Sequence, residues 1–519
     1  MGTVMRAIAL LLCLLSGPAW AATGSAAVDV FYVRPTADCA ENGDGLAYAC
    51  AASAGATGAF RGLANVIHTV TVGVDDGDTL KYCGSFVAAD ADTASQMIFH
   101  ASTVTAASEG ARITETGDCS ADGGLSDATF TGSGAITIGL AYSVSDYITF
   151  EHMRFTGFTS GIANTCSPAS DPDAPKFNDI TIDNISGAAM TFTGVGYVLT
   201  DLNLESQGEP LFVCNGNGSA ATGTASRITL TQLDPTDANA DGFQVEAGGA
   251  GSSWTDITVT KWGAFKGCAI LGSVSAISSV ERLSCTCMGA RANVTGIAVD
   301  GSGAGGYVRD IHIKDCGGDA ILLRADVTPF AGTFNVRSVI CNNVAECISL
   351  SGAHAAGALT IEHVSGTFTD TGVFAAADYN PLSTVLRNIA LDGPIGISVN
   401  AAVAAADIDI DYTRYGPSVT SWVWRGTTDT TFAAYQATSS KDANGSNGAM
   451  GWVDGPTPTT AAGFCLASTS DLLGQGTYIG AYVLGYGGES LSNPPPIGAR
   501  GLCNPRRQAA ARPVSGVRQ

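Results

Sequence analysis

The chain is poor in charge, in aromatic rings and in long apolar runs. Only 14% of its 519 residues are charged and 8% are aromatic. Long surface helices draw on Glu, Lys, Arg and Leu, so this shortage excludes helical bundles and helical repeat arrays. No stretch after the first 21 residues reaches the run of about 18 apolar residues that a membrane-spanning helix needs. Bases are fewer than acids, 25 against 47. A field of that sign excludes nucleic acid and anionic lipid as partners, and it disfavours polyanionic substrates unless Ca²⁺ or a local basic patch intervenes. No G-x-S-x-G elbow, P-loop, H-E-x-x-H or paired C-x-x-C is present, and the six histidines are scattered.

What is abundant is glycine, 65 residues, together with Ala, Thr, Ser, Val and Ile. Glycine and small polar residues suit a chain that turns often, and β-branched residues suit pleated surfaces. One elongated β domain fits this better than the three compact domains the length alone would suggest. Residues 1–21 read as a signal peptide: Arg6, an apolar run Ala7 to Leu15, then Ala19-Trp20-Ala21 as the cleavage site. The mature protein is expected to be secreted, extracellular or periplasmic. Losing Cys13 leaves 14 cysteines in an oxidising compartment, where near pairs such as Cys39/Cys50 and Cys341/Cys347 invite disulfides.

Short apolar-polar-apolar segments recur along the middle of the chain. Aligned on their first apolar residue they fall at Ile180, Leu202, Ile228, Ile257, Leu283, Ile311, Val339, Ile361 and Ile389, spaced by 22 to 29 residues. Self-similarity at that period signals a stacked solenoid, and two-residue alternation makes its elements strands. A second set ends at Met190, Phe243, Ile270, Ile297, Ile321 and Ile348, with loops of unequal length between the two sets. Inward positions include Cys285 and Cys341, which read as packed free thiols. Thr181, Asn203, Thr229, Thr258 and Ser284 form an outward polar ladder, and Asp179, Asp201, Arg227, Asp256, Arg282 and Asp310 a neighbouring charged column that reads as structural.

On these residues the chain resembles the pectin-lyase-like superfamily of right-handed parallel β-helix proteins. The likeness extends to Phe31-Tyr32-Val33-Arg34-Pro35-Thr36 near the start, and to Gly463-Phe464-Cys465-Leu466 and Pro494-Pro495-Pro496-Ile497-Gly498 near the end. It implies an all-β, right-handed parallel β-helix solenoid with N- and C-terminal capping segments. The expected order is 28–130 for the N-terminal cap and first coils, 131–415 for the coils, 416–499 for the C-terminal capping region and 500–519 for a disordered basic tail. The superfold hosts lyases, hydrolases, epimerases, adhesins and phage tailspikes, so it does not assign an activity. Asn239-Ala240-Asp241-Gly242-Phe243 resembles a calcium-site segment of one β-helical pectate lyase family, but Gln244-Val245-Glu246 stands where that family has its catalytic Lys. Lys261 and Lys266 on the following coil are the only nearby substitutes.

Candidate chemistry concentrates at a few places. Asp237, Asn239 and Asp241 offer oxygen ligands at the alternate positions of a Ca²⁺ loop, although Gly248 replaces its closing Glu; a solvated turn is the other reading. Asp319 and Glu346 precede Ile321 and Ile348 by two residues, so stacking about 4.8 Å apart brings the carboxylates together. Such a pair suits a retaining glycosidase or a carboxyl group with a raised pKa; a surface pair relieved by Arg324 or Lys314 is the structural alternative. His312 and Lys314 come from the same coil and complete the candidate catalytic set. Trp254, Trp262 and Phe265 offer stacking faces for sugar, Arg324 a substrate cation, while Trp422 and Trp424 read as closing the end of the core. The leading expectation is a polysaccharide-active protein, a lyase or glycoside hydrolase, or one that binds a glycan along its outer groove. A non-catalytic exported adhesin or structural β-helix, binding a cell-surface glycan, is the alternative.

Overall fold

The computed structural model describes residues 29–65, 76–100, 108–142, 147–164, 174–192, 196–213, 223–236, 240–245, 252–262, 266–271, 277–288, 294–300, 306–325, 331–352, 356–379, 383–477, 485–486, 491–492 and 494–501. Residues 1–21, expected to be a signal peptide, and nearly all of residues 500–519, expected to be a basic tail, lie outside them. The fold is an all-β parallel solenoid of about 12 turns, as the repeat implies.

Strand Lys176–Ile185 shows why one coil forms. Phe177, Ile180 and Ile182 are buried, while Asn178, Thr181 and Asp183 keep partial contact with water. Two residues, not one, separate Phe177 from Ile180, because Asp179 adopts a left-handed backbone (φ 52°). The strand turns a corner there, and the side chains on both sides of the corner stay inward. The same corner recurs in register at His152, Asp201, Arg227, Asp256, Arg282, Asp310, Ser338, His363, Asn388 and Tyr412. A left-handed residue other than glycine costs roughly 1–2 kcal/mol, and Asp, Asn and His tolerate it best. The charged column is this corner. Arg227 holds both carboxylate oxygens of Asp201 at 2.6 and 2.7 Å, and Arg282 those of Asp256 at 2.6 and 2.9 Å.

The ladder runs Ile180–Leu202–Ile228–Ile257–Leu283–Ile311–Val339–Val364–Ile389. Val364, not Ile361, continues the series; Ile361 pairs with Val336 on the other side of the corner and is equally buried. Two residues separate the two inward positions at every corner, so a weakly patterned rung can be aligned on either. In the second strand set, Ala269 and not Ile270 aligns with Phe243 and Ile297. Inside the coils, rings stack from rung to rung: Phe86 on Phe130 and Phe130 on Phe155 at 5.0 Å, Phe150 on Phe177 at 5.2 Å.

Five disulfides are formed among the described residues: Cys39–Cys50, Cys83–Cys119, Cys268–Cys285, Cys287–Cys316 and Cys341–Cys347. This corrects the reading of Cys285 and Cys341 as free thiols. Each is inward, as expected, but each meets a cysteine arriving from another side of the coil.

The outward ladder changes character along the axis. Asn203, Thr229 and Thr258 are exposed. In the same column Ile340, Ser365 and Ala390 are fully buried beneath a second apolar cluster of Met450, Trp452, Phe464, Leu466, Leu472 and Ile497. The C-terminal segment therefore lies across the later coils. The corner column grips it: Asn388 donates to the Thr477 carbonyl at 2.7 Å and accepts from its N–H at 2.8 Å, and the His363 ring meets the Gly498 carbonyl at 3.2 Å. Trp422 and Trp424 are buried against Tyr415, Phe432 and Tyr435, where helix Phe432–Ser439 follows the last coils.

Candidate functional site

Asp319 opens the second strand of its coil and faces Glu346, one rung on, which in turn faces Thr371. Both carboxylates sit at a corner and are half-buried. They hydrogen-bond directly to each other. Desolvation, then the Asp319 charge, pushes the Glu346 carboxyl up to about 8. Desolvation also raises Asp319, while the hydrogen bond from Glu346 opposes the rise. Both shifts run upward, so the pair resists carrying two negative charges at once and favours keeping a proton.

A retaining glycosidase holds its carboxyl groups about 5–5.5 Å apart with the sugar between them. Asp319 and Glu346 interact directly and so lack that spacing. A carboxyl group with a raised pKa is the other chemistry expected for the pair.

A cleft of about 600 Å³ lies on the same coils; Asp319 and Glu346 are not among the residues that line it. One wall carries Lys314, Asp315, Asn342, Asn343, Thr369 and Asp392; Pro456 to Thr459 of the C-terminal segment form the other. The left-handed residues Asp315 and Asn343 turn the chain here, and the Asn343 amide donates to Asp315 at 2.7 Å. Only a few residues further on stand Asp319 and Glu346. Asp392 is buried, accepts the Ser418 N–H at 2.8 Å, and is raised by desolvation.

The other expected residues are distributed as follows. Lys314 lines the cleft, 3.9 Å from Asp315. His312 faces the C-terminal segment instead, edge-on to the Tyr486 ring at 6.3 Å. Burial first, then the positive charges of Lys314 and Arg500, lowers it to about 4, so it is neutral at pH 7. Arg324 follows Asp319 on the same strand and pairs in register with Ser351.

Trp254 is wholly buried and stacks on Phe243 at 5.4 Å. It is a core residue and cannot present a face to sugar, because its position on the strand points inward in line with Ala225 and Val280. Trp262 is half-buried, with its N–H bonded to the Gln232 carbonyl at 3.1 Å; Phe265 lies outside the described residues.

Asp237 and Asn239 of the Ca²⁺ reading lie outside the described residues. Asp241 is buried and accepts the Gly267 N–H at 2.8 Å. Lys261 is sealed in the core, its Nζ donating to the Ala240 carbonyl at 2.5 Å, so it has no path to a substrate. The Lys266 side chain is not among the described ones.

Sequence reasoning missed Asp392 and the Pro456–Thr459 wall. Asp392 sits beyond Leu391 at a strand end, and only the Asp392-Gly393-Pro394 turn signal marks it. The wall lies more than 100 residues along the chain from Lys314 to Asn343 of the coils it faces.

Neither a family model nor a curated protein matches the sequence. Among solved structures, the crystal structure of pectate lyase Pel9A is similar, with a TM-score of 0.40 and 14% identity over 92% of this chain and 97% of that one.

Proposed function

We propose that the chain is an exported glycan-active protein that works at the corner cleft, with Glu346 as general acid and Asp319 as the carboxylate that tunes it. The observation that carries this reading is the directly interacting carboxyl pair, on coils whose residues a few positions back along the chain, Asp315 and Asn343, line an open cleft. A carboxyl group that keeps its proton toward neutral pH can protonate a leaving oxygen as the C–O bond breaks. The cleft volume is in the range of small-ligand sites. Its Asn, Thr, Asp and Lys side chains match the donors and acceptors of sugar hydroxyls, and Phe368 and the prolines add apolar surface. Because the two carboxyl groups form one interacting pair, the base that activates water, or removes a ring proton, comes from the cleft. Asp392 is the group assigned to it.

The exposed ladder of Asn203, Thr229 and Thr258 favours a second reading, in which a glycan is held along the outer face without cleavage. A polysaccharide panel separates the two, following reducing ends and the absorbance of unsaturated products. Cleavage is expected to fall at least about 100-fold in Glu346→Gln, with glycan affinity kept. The rate should fall as pH rises through the pKa of Glu346, about 8, and fall again on acidification as Asp392 takes up its proton. Full activity in Glu346→Gln ends the catalytic assignment. Binding without products on any glycan leaves the adhesive one.

A further inference from the structure

Four cysteines meet inside the coils. Cys285 and Cys287 point inward from strand Ile277–Cys287; Cys268 comes from strand Lys266–Leu271 before it, and Cys316 from the turn after Gly306–Lys314. All four are buried, and their sulfur atoms lie within 4.8 Å of one another. Besides the bonded pairs Cys268–Cys285 and Cys287–Cys316, the cross distances are 3.8 Å between Cys268 and Cys287 and 4.0 Å between Cys285 and Cys316. Two independent disulfides require no such convergence. A thiolate tetrahedron does: with Zn–S near 2.3 Å its edge is about 3.8 Å.

We propose that these four side chains form a Cys₄ site for a zinc-class ion when the chain is reduced, and two disulfides when it is oxidised. The Cα atoms of the bonded pairs, 6.3 and 5.1 Å apart, allow the sulfurs to separate to a tetrahedral edge by side-chain rotation and small backbone shifts. Reduction takes two dithiol molecules, each giving two electrons and two protons to one disulfide and ending as a cyclic disulfide itself. The four thiols then release four protons as the divalent ion binds, leaving a site of charge −2. Lys261 faces Cys287 in register on the preceding rung, and its ammonium is buried in the same region. It offsets part of that charge, although Asp241 nearby adds to it. All four side chains are buried among the described residues, so the ion enters as the coils close, and binding is coupled to folding. The spacing Cys285-Thr286-Cys287 alone does not indicate a metal site. The solenoid supplies the other two ligands from different rungs.

The test refolds the full chain, reduced and denatured, with Co²⁺ or Zn²⁺. The expected result is one ion per chain by elemental analysis, intense sulfur-to-cobalt charge-transfer bands with tetrahedral visible absorption, and the far-ultraviolet circular dichroism of the oxidised protein. Cys287→Ser should lose the charge-transfer signature, whereas the double substitution of Cys341→Ser and Cys347→Ser, outside the cluster, should keep it. Refolding to the same spectrum without ion uptake overturns the proposal, and so does failure to refold with the ion present. Retention of the full cobalt spectrum in Cys287→Ser does the same. None of these outcomes depends on glycan activity.

Discussion

Glu346 links the site to folding. Its carboxyl titrates near 4.5 in an open chain and near 8 in the fold, so between those values the native state binds the extra proton. Stability is then fully present below about 4.5 and is lost as pH rises through 8. Because the group is partly exposed, solvent screening reduces the effect to about 1–2 kcal/mol. Glu346→Gln, which cannot ionise, should gain that much over the parent at pH 8.5 and nothing at pH 4. Denaturant midpoints at the two pH values check it; equal differences at both would contradict the raised pKa of Glu346. A pair of acids two residues before aligned apolar positions was visible in the sequence. That they interact directly depends on side-chain directions that no pattern specifies.

The corner itself is the element that organises each coil. Its column was legible as alternating charge, but its conformation was not, because Arg227 and Arg282 are poor markers of a left-handed backbone. The exposed ion pairs there are worth only about 0.2–1 kcal/mol each. What the position demands is tolerance of positive φ. Arg227→Asn should therefore change stability by less than about 0.5 kcal/mol, while Arg227→Val, β-branched at φ 56°, should cost about 1–2 kcal/mol. Thermal unfolding of the two variants decides. If Val and Asn behave alike, the ion pairs and not the backbone set the cost. The Ile361 misalignment has the same origin, since inward residues flank the corner at a spacing of three where plain alternation expects two.

Across the whole molecule, the stacking of rungs was written in a 22 to 29 residue period, while the path of the chain after residue 449 was not. Trp452, Phe464 and Leu472 carry no repeat, and nothing local says that they cover Ile340 and Ala390. His312 and His363, both lowered to about 4 by burial, sit under that cover. An open chain protonates histidine near 6.5, so stability contributed by keeping them neutral is present above 6.5 and lost as pH falls toward 4. Acid should loosen the C-terminal segment before the coils. Hydrogen exchange at pH 4.5 against pH 7 should show protection lost at residues 449–501 and kept at residues 176–261; uniform loss would contradict this.

The half-covered outer face also fixes a length. The column from Arg154 through Thr181, Asn203, Thr229 and Thr258 to Ser284 spans six rungs, about 24 Å at the usual strand spacing. A linear ligand lying along it runs out of open track where the covering begins. Affinity measured over a ladder of oligosaccharides should climb with each added unit up to that reach and then level off, so that the protein acts as a ruler whose end mark is His312.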